Sequence, residues 1–108
     1  MRTKQEHIRT LNDNLRREHR GGMIVVSRGV QALEDDFVRD IGEAVASFAF
    51  DSANDPYGEH DFGSLVVAGH WVLFKIDYYD RDLCYHSPDP ADPTVTRRVL
   101  TIMLAEEY

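Results

Sequence analysis

The residues best suited to chemistry sit in "NDPYGEHDFGSLVV", Asn54 to Val67, where Glu59, His60 and Asp61 are consecutive between two glycines and just ahead of an apolar run. A histidine beside two carboxylates has its cationic form favoured, so it can serve as an acid or as an ion-pair partner. Three consecutive side chains do not naturally converge on one metal, because coordination motifs space their ligands along a helix face or across a turn. A metal here would need further ligands from His70, Asp77 or His86. No nucleophile stands next to His60. The plainer expectation is a turn: Asn54, Asp55 and Asp61 satisfy loop amides, and Gly58 and Gly63 permit the bends.

A second constellation is "KIDYYD". The two-residue period of a strand puts Lys75, Asp77 and Tyr79 on one face, where a lysine flanked by a carboxylate and a phenol can do acid-base work. The same residues serve more simply as a charge pair that specifies strand register. Arg97 and Arg98 could touch an anion, but on a strand they point to opposite faces and make no joint clamp. Cys84 is the one cysteine. It excludes an internal disulfide, fits a reducing compartment, and reads as a small buried or half-buried apolar residue, although Cys84 and His86 can share a face in extended chain. Phosphate-binding glycine loops, zinc-type cysteine clusters and nucleophile elbows are missing from the sequence. No catalytic residue, cofactor or metal is assigned.

These residues must be positioned by a single domain, as a chain of 108 residues supports one core. Ile8, Leu11 and Leu15 mark a narrow helical stripe over about Thr3 to Arg20, ended by Gly21-Gly22, with Arg16, Arg17 and Arg20 placed to suit a helix C-terminus. "MIVVS" reads as a strand. A second helix is predicted over Val30–Ala49, with Leu33, Phe37, Ile41, Ala44, Val45 and Phe48 as its apolar face. Glu34, Asp35, Asp36, Asp40 and Glu43 crowd the opposite side, three of them near the helix N-terminus, where the macrodipole favours them. "SLVVA" and "WVLFKIDYY" read as strands joined by a tight turn at Gly69-His70. In the longer one Val72, Phe74, Ile76 and Tyr78 point to the core. Trp71, Leu73, Lys75, Asp77 and Tyr79 point the other way, toward a half-covered face or a partner. "YHSPDPADPT" is an irregular loop, because its prolines exclude helix and central strand. In "TVTRRVLTIMLAEEY" the Thr, Val and Ile content favours strand, with Leu100, Ile102 and Leu104 inward, although Asp92-Pro93 and "LAEEY" also suit a helix. The expectation is an α+β domain, two helices on a small, mainly antiparallel sheet of about four strands.

The net charge of −7 is unevenly spread. Met1 to Arg28 holds seven basic and three acidic residues, whereas Val30 to Thr96 holds three basic and fourteen acidic ones. An acidic body repels phosphate, so direct nucleic-acid binding is disfavoured despite the Arg16, Arg17 and Arg20 cluster. The first twenty residues are charged throughout and no run approaches the length of a membrane span, which leads to an expectation of a cytoplasmic protein without membrane contact.

"ANDPYGEHDFG", "FKIDYYD", "SPDPADP" and "RVLTIMLAEEY", with "IRTLNDNLRR" and "SRGVQAL", together resemble a family of small bacterial proteins catalogued only as a domain of unknown function. The resemblance covers nearly the whole chain. It implies no activity, cofactor or catalytic residue. Members look like cargo of bacterial genomes, plasmids and prophages, which suggests a role in contests between mobile elements and hosts.

The leading expectation is an acidic interaction module, an inhibitor of a defence or nucleic-acid-processing complex that meets a basic protein surface. Its contact residues are expected to be Asp35, Asp36, Asp40 and Glu43, the loop acids Asp55, Glu59 and Asp61, and the strand face of Trp71, Lys75, Asp77 and Tyr79. The alternative is a small enzyme or metal-binding protein centred on His60/Asp61 and Lys75/Asp77.

Overall fold

A computed structural model describes residues 2–108. Four strands, β1 (Met23–Val26), β2 (Phe62–Val67), β3 (His70–Tyr79) and β4 (Arg97–Leu104), form one sheet in the order β1-β4-β3-β2. β1 pairs with β4 in parallel, while β4–β3 and β3–β2 are antiparallel. The α+β architecture is as expected, with one parallel pair making the sheet mixed. The C-terminal segment is a strand. Its run Arg98–Leu100 and Ile102–Met103 is buried on both faces, as an interior strand requires, and only Ala105–Glu107 turns into a short 3-10 helix.

The first helix, α1 (Lys4–Glu18), starts where the Thr3 hydroxyl accepts from the Glu6 N–H. It ends at His19, which takes the left-handed conformation at φ 57° while the Arg20 N–H reaches back to the Asn14 carbonyl. His19 rather than Gly21-Gly22 is therefore the cap. The predicted second helix is in fact two: α2 (Arg28–Gln31), capped by the Ser27 hydroxyl, and α3 (Asp35–Ala46). Glu34 is extended and its carbonyl opens α3, accepting from the Phe37 and Val38 N–H groups. The acids Asp35 and Asp36 thus occupy a first turn, where the helix dipole favours them. They begin a helix rather than decorate one.

Ile8 and Leu15 of α1, Val30 of α2, and Ile41 and Val45 of α3 pack on one face of the sheet, against Val72, Phe74, Ile76 and Tyr78 of β3 and Leu100 and Ile102 of β4. α3 stops at Ala46, so Phe48 and Phe50 arrive from the segment after it. They stack on each other at 4.8 Å and meet Phe74 edge-on. Phe37, expected in the core, is only half-buried and lies edge-on to His70 at the end of the β2–β3 hairpin. Gly63 lies opposite Phe74 in that hairpin, and any Cβ there would collide with the Phe74 and Phe48 rings.

Candidate functional site

The Glu-His-Asp triplet is built into the wall of the domain. His60 sits at φ 58° with its ring stacked on Phe50 at 4.1 Å, its Nδ1 2.9 Å from Asp13 of α1 and its Nε2 3.5 Å from Asp55. Asp13 also accepts from Arg16, whose Nη1 donates to the Val45 and Ala46 carbonyls at the end of α3. Burial pushes the Asp13 carboxyl up, but the hydrogen bonds and charges of His60 and Arg16 outweigh it and hold the group below its ordinary range. One residue along, Asn12 donates to the Tyr78 hydroxyl and the Glu59 carbonyl. Tyr78 in turn donates to the Glu59 carboxylate at 2.9 Å, and Arg98 Nε donates to Asn12. Burial drives the Tyr78 hydroxyl far above its usual range, so it is a donor and not a titrating acid.

This network fastens the 51–61 connection to α1 and β3. Asp55 is nearly buried at its side chain and accepts from the His60 N–H, while Glu59 and Asp61 are half-buried. The three loop acids are turned into the network and the strand edge rather than spread as an exposed rim. His70 lies at the far end of the hairpin and His86 bonds the Ser87 carbonyl, so neither approaches His60. Among the described residues, no three His, Cys, Asp or Glu side chains are grouped to hold a metal. Asn12, Arg16 and Arg98, which tie the network together, are the residues sequence reasoning missed. The signal was there: Ile8, Asn12, Leu15 and Arg16 fall at i, i+4, i+7 and i+8, a single helix face. Arg98 shares the inward parity of Leu100 and Ile102.

The opposite face of the sheet carries none of α1, α2 and α3, and the C-terminal turn reaches its edge, where the Tyr108 ring lies 6.2 Å from Phe62. Across the strands run Met23–Val99–Asp77, then Val25–Thr101–Lys75–Phe62, then Met103–Leu73–Ser64, then Trp71–Val66. Trp71 is 63% exposed and Val66 69% exposed, with Val25 and Met23 above 40%, far more than a covered face would leave. Leu73, Val99 and Met103 lie between these residues and are buried. Lys75 and Asp77 form an ion pair at 2.9 Å on this face, and the bond to Asp77 raises the Lys75 pKa. Tyr79 and Arg97 face one another at the same end. Trp71, Lys75, Asp77 and Tyr79 are thus brought together on one open surface, apolar at the hairpin end and charged at the other.

Asp35, Asp36, Asp40 and Glu43 are exposed along α3 on the helical side of the molecule, with Asp36 paired to Arg39 at 3.0 Å. Cys84, expected to be at least half-buried, is exposed in the 80–86 turn, with its Sγ near the Asp82 carbonyl and no histidine partner. No helix among the described residues is long and apolar enough to cross a membrane.

The fold is a two-layer α+β domain whose helices cover one face of a mixed four-stranded sheet. Over residues 26–107 the chain matches the model of the family described as "Protein of unknown function (DUF3768)", and it belongs to that family. No curated protein and no solved structure matches it.

Proposed function

We propose that the chain is a protein-interaction module that engages its partner through the outer face of the sheet. One observation carries the reading: Trp71, Val66, Val25 and Met23 are exposed together on a face that α1, α2 and α3 leave open, with Phe62 at its edge beside Tyr108. Scattered apolar residues on a surface are ordinary, but a contiguous patch bounded by charges marks a binding site. A solvent-exposed tryptophan next to shielded Leu73 and Met103 has the composition of an interface anchor. The acids of α3 add long-range attraction for a partner with a basic surface, raising the rate of encounter more than the affinity. An inhibitor of a defence or nucleic-acid-processing complex is the fuller form of this reading. The enzyme alternative has less support, because the His60 ring is held by Asp13 and Asp55, and the Tyr78 hydroxyl by Asn12 and Glu59, as parts of a structural network.

The test is capture from the native host with the parent chain, followed by binding of the purified partner to variants. Trp71→Ala and Val66→Lys should each weaken binding by tenfold or more, about 1.4 kcal/mol, with unchanged melting. Lys replacements of Asp35, Asp40 and Glu43 should slow association and leave dissociation nearly unaltered. If the outer-face variants bind the partner as well as the parent does, the reading is wrong. If the parent is a dimer that Val66→Lys makes monomeric, the face belongs to a second copy instead.

A further inference from the structure

The two open edges of the sheet are finished differently. At β2 the inner side is closed: α3 packs against the strand, the Phe48 and Phe74 rings crowd Gly63, and Leu65 and Val67 join the core. At β1 a gap remains. Ile24, on the inward parity of Leu100, is left 39% exposed beside an apolar crevice of about 140 Å³ lined by Val26, Val38, Ile41 and Ile102.

The polar groups at this edge belong to the backbone. The Ser27 N–H donates to the Ile102 carbonyl of β4 at 2.9 Å. Alternate residues of a parallel strand bond the same neighbour, so Met23 and Val25 also face β4, while Ile24 and Val26 turn their N–H and C=O groups to the open edge. The Gln31 side chain donates to the Val26 carbonyl at 2.9 Å, and the groups of Ile24 have no such partner among the described residues. Sheet edges are commonly blunted by charge, proline or a covering element. The Met-Ile-Val-Val of β1 carries neither charge nor proline, and apart from Gln31 its protection is a length of four residues.

Charge selects what can pair there. In a chain of net charge −7, β1 lies within the one basic stretch, Met1 to Arg28. Arg17 near the end of α1, Arg28 just beyond β1, and Arg97, whose guanidinium lies against the Met23 sulfur, have no carboxylate partner among the described residues. The nearby acids are occupied: Glu18 pairs with Arg20, and Glu107 accepts from Ser27 and the Gly29 N–H. We infer that the β1 edge accepts an acidic extended segment of a protein partner as a fifth, antiparallel strand. The residue opposite Ile24 exchanges both backbone hydrogen bonds with it and shares its inward face, so its side chain enters the crevice. A cavity of ~150 Å³ accepts benzene, which is room for a leucine or phenylalanine side chain. The residues on either side of it point outward beside Met23 and Val25, and the carboxylates beyond them meet the arginines. Main-chain bonds then give affinity, and the inserted side chain gives selectivity. The edge is separate from the outer face, and the inference does not rest on that reading.

The probe is the synthetic peptide acetyl-Asp-Glu-Val-Leu-Val-Glu-Asp-amide, titrated into the full chain and followed by amide and methyl NMR signals. Saturable shifts should gather on Ile24, Val26 and Val38, and the Ile24 amide should become protected from hydrogen exchange. Methylating the backbone nitrogen of the central leucine removes the donor that meets the Ile24 carbonyl, and should weaken binding about tenfold. Glycine in place of that leucine, or lysines in place of the acids, should do the same. Ile24→Pro deletes the outward donor while sparing the ladder to β4, and should also bind about tenfold more weakly. As that variant carries a folding risk, the methylated peptide with the parent chain gives an independent reading. A methylated peptide that binds as well as its parent would overturn strand addition, and lysine flanks that bind equally well would overturn the acidic occupant. Shifts confined to Trp71 and Val66, or no saturation at millimolar peptide, would overturn the site. A parent chain that dimerises and is made monomeric by Ile24→Pro would give the edge to a second copy, against the inference.

Discussion

Asp61 is the residue whose ionisation the fold resists. Burial, then the charges of Glu59, Asp55 and Asp77, raise its pKa above the ordinary 3.8. The folded state therefore favours the protonated form. Its cost is absent below pH 3.8, grows as pH rises through the raised value, and is fully present above it. Asp61→Asn should raise stability near neutral pH by up to about 1 kcal/mol, a figure kept small by partial solvent screening, and should make no difference in acid. Paired thermal melts of the two proteins across pH check this. A benefit that persists in acid would mean the amide gains contacts of its own. Asp13 runs oppositely: its lowered pKa contributes stability above 3.8 that disappears only as pH falls through the lower value. The burial of Asp61 and the pairing of His60 with Asp13, 47 positions away, were not legible from the triplet alone, whereas the repulsion of Asp61 by Glu59 and Asp55 lies within the same stretch. The triplet's turn-forming character was legible, because asparagine, aspartate, proline and glycine act on the neighbouring backbone.

Elements were read most faithfully where side chains alternate along a strand. The inward set Val72, Phe74, Ile76 and Tyr78 and the outward set headed by Trp71 are both as the two-residue period demands. The helical period was less decisive, because it ran unbroken through Leu33; the acids were rightly placed near a helix N-terminus, but that terminus lies at Asp35 and not at Val30. The correction changes which ring is core. Phe48→Ala should cost about 3 kcal/mol, since its ring is wedged against Phe50 and Phe74, whereas Phe37→Ala, against His70 at the rim, should cost about 1 kcal/mol. Chemical denaturation of both variants decides it, and equal losses would restore the continuous helix face. The β2–β3 turn was placed one residue late. Ala68 and Gly69 hold it, at φ 49° and 84°, and alanine is strained there. Ala68→Asn should stabilise by about 0.5–1 kcal/mol, measured as a higher denaturation midpoint at constant slope.

At the scale of the whole molecule, one layer of helices on one face of a sheet leaves the other face largely to water, and the alternation within β3 already said that this face mixes large apolar side chains with paired charges. Sequence could not say that the same face also takes Val25, Val99 and Met103, because that depends on β1 lying beside β4. The exposed patch has a measurable cost: the chain should associate or precipitate at high concentration, and Trp71→Lys with Val66→Lys should raise its solubility limit without lowering its melting point. Unchanged solubility would mean the patch is too broken by Lys75, Asp77 and Arg97 to be adhesive. The strand order bears on how the chain is made. Of the four strands β4 is made last, yet it occupies the middle of the sheet and, among the described residues, is the only partner of β1. Met23–Val26 must therefore wait, unpaired and apolar, until Arg97–Leu104 has left the ribosome, and loop closure over that span is slow. A nascent chain halted before Arg97 holds a lone hairpin, three helices with little to cover, and an unprotected edge. Such an intermediate is exposed to chaperones and proteases, and the sheet closes only once Arg97–Leu104 has emerged.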